Sequence, residues 1–160
     1  MAQFDLEEEW HLHAPVDAVW TALVDAEKYP QWWPGFIEAN RVTADVVHFR
    51  IRGFLGIPVS FTQHVDARSP PQRLEFRVDG DLVGHACWEL RPVAAGTHVT
   101  FLGQVELGPG WLRTARKIPG VTRLMIRVQQ HLTARGRHAL EVMVSRRGLS
   151  REALPLDDVA

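Results

Sequence analysis

Residues 36–107 are what most narrows the possible folds. They are a succession of short stretches in which apolar and polar side chains alternate, interrupted by Ala44-Asp45, Gly53 to Gly56, Pro70-Pro71, Asp79-Gly80 and Ala95-Gly96. Alternation with period two puts one face of each strand in a core, and short polar links leave consecutive strands paired antiparallel. After Gly108-Pro109-Gly110 the period becomes helical, and Pro119-Gly120 marks a break before a longer helix across residues 121–146. Val121, Leu124, Met125, Val128, Leu132, Ala139 and Met143 lie within one arc of that helix. A sheet of this length with one long helix to cover it must bend around the helix, because a flat sheet would leave apolar surface wet.

The first residues supply the edge of that sheet. In residues 3–12 the even positions read Phe4, Leu6, Glu8, Trp10 and Leu12, against Asp5, Glu7, Glu9 and His11 at the odd ones, again a strand with one buried face. Pro15 opens a short amphipathic helix on Val16, Val19, Trp20 and Leu23. The stretch AEKYPQWWPG, broken by Pro30 and Pro34, permits only a short aromatic turn against the core. The expected fold is therefore α+β: a curved antiparallel sheet of about seven strands around a long C-terminal helix, with two short helices after strand one. Residues 1–147 are read as one domain and 148–160 as a flexible tail.

At 160 residues one core suffices without disulfide or metal. No apolar run approaches the ~20 residues of a membrane span. The acidic N-terminal segment has no export signal, so a cytoplasmic location is expected, and the single cysteine, Cys87, is read as structural. Charge is uneven: residues 1–109 carry 8 basic and 15 acidic side chains, residues 110–151 carry 10 basic and 1 acidic. The helix is expected to present a solvated positive face whose cations complement the acidic sheet. Transient contact with an anionic membrane is the other use of such a face; nucleic acid is not expected as a partner.

The segment HLHAPVDAVWTALVDAEKYPQWWPGF resembles the polyketide cyclase/dehydrase and lipid-transport branch of the START-like superfamily. The resemblance rests on Ala14-Pro15 after the strand, Val19-Trp20 and Leu23 in the helix, Asp25, Tyr29-Pro30 and Trp32 to Pro34. It implies a helix-grip fold and a ligand held between sheet and helix. Ligand carriers, hormone-binding proteins, aromatic polyketide cyclases and chaperone-associated domains all share that fold.

If each apolar row points inward, Trp10, Phe49, Phe61, Phe76, Trp88 and Phe101 line a cavity together with Leu132 of the helix. Gly84, Ala86 and Gly103 remove side-chain volume from inward positions, which either leaves room for a ligand or lets the strands bend. Glu8 and Gln63 interrupt otherwise apolar rows. A buried carboxylate needs a partner, and Arg135, close to the buried arc of the helix, is the candidate, with Gln63 nearby; the alternative leaves Arg135 and Glu8 in water. The apolar tip Gly53-Phe54-Leu55-Gly56-Ile57-Pro58 and Trp111 are candidates for a pocket entrance.

His48, His64, His85 and His98 fall on outward rows, and no HExxH, GxSxG, P-loop or GxGxxG pattern occurs, so neither metal nor cofactor is expected. A small hydrophobic molecule is the expected partner. Three functions remain: a non-catalytic carrier or sensor, a cyclase or dehydrase using Glu8, Gln63 or Arg135 as proton donor or acceptor, and a protein-interaction module with a filled core.

Overall fold

The computed structural model describes residues 3–53, 56–108, 110, 114 and 117–152. Strand β1 (Gln3–Leu12) is followed by α1 (Val16–Val24), a 3-10 turn (Ala26–Lys28) and α2 (Tyr29–Trp32). Then come β2 (Phe36–Thr43), β3 (Val46–Arg52), β4 (Pro58–Ser69), β5 (Arg73–Gly80), β6 (Leu82–Val93), β7 (Gly96–Leu107) and the long helix α3 (Val121–Glu152). The seven strands form one sheet in the order β1-β7-β6-β5-β4-β3-β2, with every neighbouring pair antiparallel. The meander β2 to β7 follows from the turn residues, and the excursion through α1 and α2 returns β1 to the free edge of β7. The α+β helix-grip architecture expected of the sequence is the one observed.

Pro15 caps α1, its carbonyl accepting from the backbone N–H of Ala18 and Val19 at 3.1 and 3.2 Å. The helix buries Val19, Ala22 and Leu23. Behind it the aromatic turn packs into the same core. Tyr29 is buried and its hydroxyl donates to the Leu23 carbonyl at 2.6 Å. Burial, reinforced by the Asp25 carboxylate, holds that phenol well above its ordinary pKa, so it remains a donor. Its ring meets Trp33, Phe36 and Phe49 at 5.3, 5.3 and 5.7 Å.

The long helix departs from expectation in two ways. It runs to Glu152, so residues 148–152, expected to fray, are helical; residues 153–160 lie outside the described residues. Its buried side is rotated: Thr133, Gly136, Leu140 and Val144 are buried, whereas Leu124 is exposed and Ala139 and Met143 are half-buried. The shift from the expected arc is about 100°, one residue of helical rotation. The cause is Trp33, whose ring occupies the place where a Gly136 side chain would stand, so the helix turns its smallest residue toward α2. The closest backbone neighbours of α3 are α1 and α2. No helix among the described residues is long and apolar enough to cross a membrane.

Candidate functional site

Strand register arranges the inward side chains in three adjoining rows across the sheet. One runs Glu8, Phe101, Trp88, Leu74. The middle row runs Leu6, Gly103, Ala86, Phe76, Val65, and the third Val105, Gly84, Val78, Gln63, Val47. Along the strands the surface divides in two. Toward the end of β1, Trp10, Leu12, Leu90 and Val99 are sealed in one core with Val19, Leu23, Leu140 and Val144. Toward its beginning, Leu6, Glu8, Phe61, Val65, Leu82, Phe101 and Val105 stay half-buried although their rows point inward. These apolar side chains face the helix side and still keep accessible surface.

The aromatic residues expected to line a cavity are neighbours, with Trp10, Phe49, Phe76 and Trp88 buried in the core and Phe61 and Phe101 half-buried. Trp10 meets Trp88 at 5.2 Å, Trp88 meets Phe101 at 4.6 Å and Phe101 meets Phe76 at 6.4 Å. A second chain of rings runs from Trp10 through Trp33, Tyr29 and Phe49 to Phe61. Sequence reasoning treated Tyr29 and Trp33 as packing residues of a turn. Their rings join the two arms of the sheet within the core, a placement the double tryptophan alone does not convey. The two glycines prove different. At Gly84 a Cβ would stand 2.0 Å from the Gln104 carbonyl oxygen, so this residue permits close strand approach. At Gly103 the nearest atom would be the Ala86 Cβ at 3.1 Å, and the Gly103-Ala86 pair forms a low point in the middle row.

Glu8 lies inward between Leu6 and Trp10, but the pair with Arg135 is not formed. Rotation of α3 leaves Arg135 exposed, and among the described residues neither it nor Glu8 makes a side-chain hydrogen bond or ion pair. Gln63 is not beside Glu8 either: three strands separate β1 from β4. Gln63 is 7% exposed and also lacks a side-chain hydrogen bond among the described residues. No buried polar side-chain atom among those residues is left without a partner, so the Gln63 amide opens onto accessible space. The side chain of Leu132 and the proposed entrance residues Phe54, Leu55 and Trp111 lie outside the described residues.

Two surface depressions lie elsewhere. One, ≈490 Å³, is bounded by Asp25, Lys28, Trp32, Met143 and Arg146 between α2 and α3. The other, ≈730 Å³, lies on the outer face of the sheet over Arg73, Glu75, His85 and Cys87. Burial raises the Cys87 thiol above its ordinary pKa, partly offset by Arg73, which suits a structural cysteine. Four carboxylates of the sheet and its turns are paired with the sheet's own arginines: Arg73 bridges Glu75 and Glu89, Arg77 meets Asp66 at 3.0 Å, and Arg68 meets Asp45. This corrects the expected complementarity of helix and sheet. Among the described residues, Arg123, Arg127, Arg135 and Arg137 are exposed without an ion pair. The one acid of residues 110–151, Glu141, accepts from the His13 backbone at 3.2 Å and contacts His13 Nδ1 at 2.9 Å. No cluster of three or more His, Cys, Asp or Glu side chains suited to a metal ion occurs among the described residues.

A curved seven-stranded antiparallel sheet gripping one long helix, with an aromatic inner wall, defines a helix-grip, START-like protein. The chain belongs to the polyketide cyclase / dehydrase and lipid transport family, whose model matches residues 3–137. Its fold is similar to that of the Zhui aromatase/cyclase from Streptomyces sp. R1128, with a TM-score of 0.75 and 17% identity over 91% of this chain and 96% of that one. A conserved protein from Geobacillus kaustophilus superposes with a TM-score of 0.72 and 16% identity, over 91% and 96% of the two chains. A START superfamily protein from Mycobacterium smegmatis gives 0.63 and 18%, over 90% and 97%. Comparison with curated protein sequences finds no significant match.

Proposed function

We propose that the protein binds or carries a small hydrophobic molecule, such as a lipid, an isoprenoid or an aromatic polyketide-like compound, between the inner face of its sheet and α3. The observation that supports this most is the half-buried apolar group Leu6, Phe61, Val65, Leu82, Phe101 and Val105 on rows that point inward. Covering that surface contributes about 25 cal/mol per Å², which a ligand supplies and a collapsed core would have supplied already. The family to which the chain belongs agrees with this reading. Native mass spectrometry of freshly purified protein, followed by solvent extraction, is expected to release one defined apolar compound near equimolar amount. A ligand-free protein that also refuses an apolar fluorescent probe would transfer the weight to a protein-interaction role.

One observation favours a catalytic second reading: Glu8 is an inward carboxylate without a cation beside it. Under that reading Glu8→Gln abolishes turnover and keeps binding. We take the cytoplasm as the compartment, in keeping with the free thiol of Cys87. The unpaired arginines of α3 stand beside exposed Ile118, Leu124 and Ile126, a combination suited to an anionic membrane from which an apolar ligand is drawn. Co-sedimentation with phosphatidylserine vesicles is expected, weakened by salt and by the Arg123→Ala/Arg127→Ala pair. Equal retention on neutral vesicles would count against it.

A further inference from the structure

We propose that the interior selects its ligand by charge, accepting neutral or cationic apolar molecules that carry hydrogen-bond donors and rejecting carboxylates and phosphates. The proposal rests on the ligand-binding reading above and narrows it to a chemical class. Among the described residues Glu8 is the one charged side chain on the three inward rows between β1 and β3 that has no ion-pair partner; the rows end at Arg68, opposite Leu74, and Arg41, opposite Val47, which are paired with Asp45 and Glu27. Arg50, Arg52, Arg73, Arg77 and Arg91 fall on the other face of the sheet and are exposed, and Arg123, Arg127, Arg135 and Arg137 of α3 are exposed. A ligand anion would therefore enter a low-dielectric space in which the described residues offer no unpaired countercharge and one like charge. A hydroxyl or ammonium group would instead give Glu8 the donor that no described residue supplies.

Gln63 makes the argument independently of Glu8. Its side chain is more than nine-tenths buried between Val47 and Val78, and its amide has no protein partner among the described residues. Buried amides are normally paired, and an unpaired one at the edge of unfilled space is a place for a ligand's polar atom. Glu8 and Gln63 stand on opposite arms of the curved sheet, about 19 Å apart measured along it at ~4.8 Å per strand and closer across the bend. Between them runs the middle row, lowest at Gly103 and Ala86. The arrangement suits an apolar body lying over that low point, with a donor directed at Glu8 and a hydroxyl or carbonyl at Gln63.

The test displaces the neutral probe N-phenyl-1-naphthylamine with three compounds that share one ring system: 2-naphthol, 2-naphthylmethylamine and 2-naphthoate, at neutral pH. The naphthol and the amine are expected to compete, and the carboxylate to be weaker by at least about tenfold. Glu8→Gln should bring the naphthoate to within a few-fold of the naphthol, and Gln63→Leu should weaken the naphthol while the probe still binds. Equal competition by naphthoate and naphthol in the wild-type protein would overturn charge selection, as would an unchanged ratio in a folded Glu8→Gln variant. The wild-type comparison decides the matter even if a variant does not fold. Failure of the probe itself to bind is a different result, and removes the cavity on which the proposal depends.

Discussion

Replacing Phe49 by alanine is expected to cost about 3–5 kcal/mol of folding stability, among the largest effects available to a single side chain here. Phe49 is 1% exposed and lies inward on β3. Its ring touches Tyr29 at 5.7 Å, Phe36 at 5.3 Å and Phe61 at 5.4 Å, so it joins the aromatic turn after α1 to the far arm of the sheet. Truncation removes the transfer free energy of a benzyl group and leaves a void that rigid rings on three sides cannot close. Thermal unfolding should fall by on the order of 10 °C. Denaturant unfolding should show a lower midpoint with an unchanged slope, the sign of a native-state cavity rather than an altered unfolded ensemble. A loss under 1 kcal/mol would mean that the turn and the arm are not coupled through this ring. Phe61, whose ring is half-buried at the edge of the open region, should cost less when truncated, because part of its surface faces unfilled space already.

That contrast also explains how much of the molecule was legible in its sequence. Strand pairing and the inward rows follow from a period of two punctuated by glycine, proline and aspartate, and a one-residue slip would have put Phe49 and Trp88 in water. The helix was harder. Its apolar side chains mark an arc through Leu132 and Ala139, yet the buried positions include Thr133 and Gly136, which carry little hydrophobicity and so leave no trace in a periodicity argument. Burial there depends on the shape of Trp33, not on the apolarity of the helix residue. That arc brings Arg135 near the buried side and makes it the candidate partner of Glu8; of the two alternatives, the one that leaves Arg135 in water is observed. The tail from Gly148 carries no periodicity, which gives no sign that α3 continues to Glu152. In the candidate site, Glu8 and Gln63 were recognisable as polar interruptions of apolar rows. Their separation was not, since adjacency depends on strand order: β1 closes onto β7, and β4 lies three strands further on.

Gly136→Ala is expected to destabilise the protein by about 2–3 kcal/mol, and its sign is diagnostic. At a solvent-facing helix position the same change stabilises by about 1 kcal/mol, because alanine is the better helix former. Here an added Cβ would stand 2.2 Å from both Nε1 and Cε2 of Trp33 and 2.6 Å from Cζ2. The indole cannot retreat easily, since it packs against Tyr29 at 5.3 Å, Phe36 at 4.9 Å and Trp10 at 6.2 Å. The helix must therefore lift from α2, and with it the buried side chains of Leu140 and Val144 one and two turns further on. Pairing Gly136→Ala with Trp33→Leu should recover at least about 1 kcal/mol relative to the sum of the two single changes, because the smaller side chain removes the overlap. Additive behaviour, or a Gly136→Ala variant as stable as the parent, would show that this contact does not set the position of α3. The same contact governs the open region. The closest backbone neighbours of α3 are α1 and α2 rather than the strands, so a shift at Gly136 alters the spacing between helix and sheet. An apolar probe should accordingly bind the Gly136→Ala variant with altered affinity at temperatures where the protein is still folded.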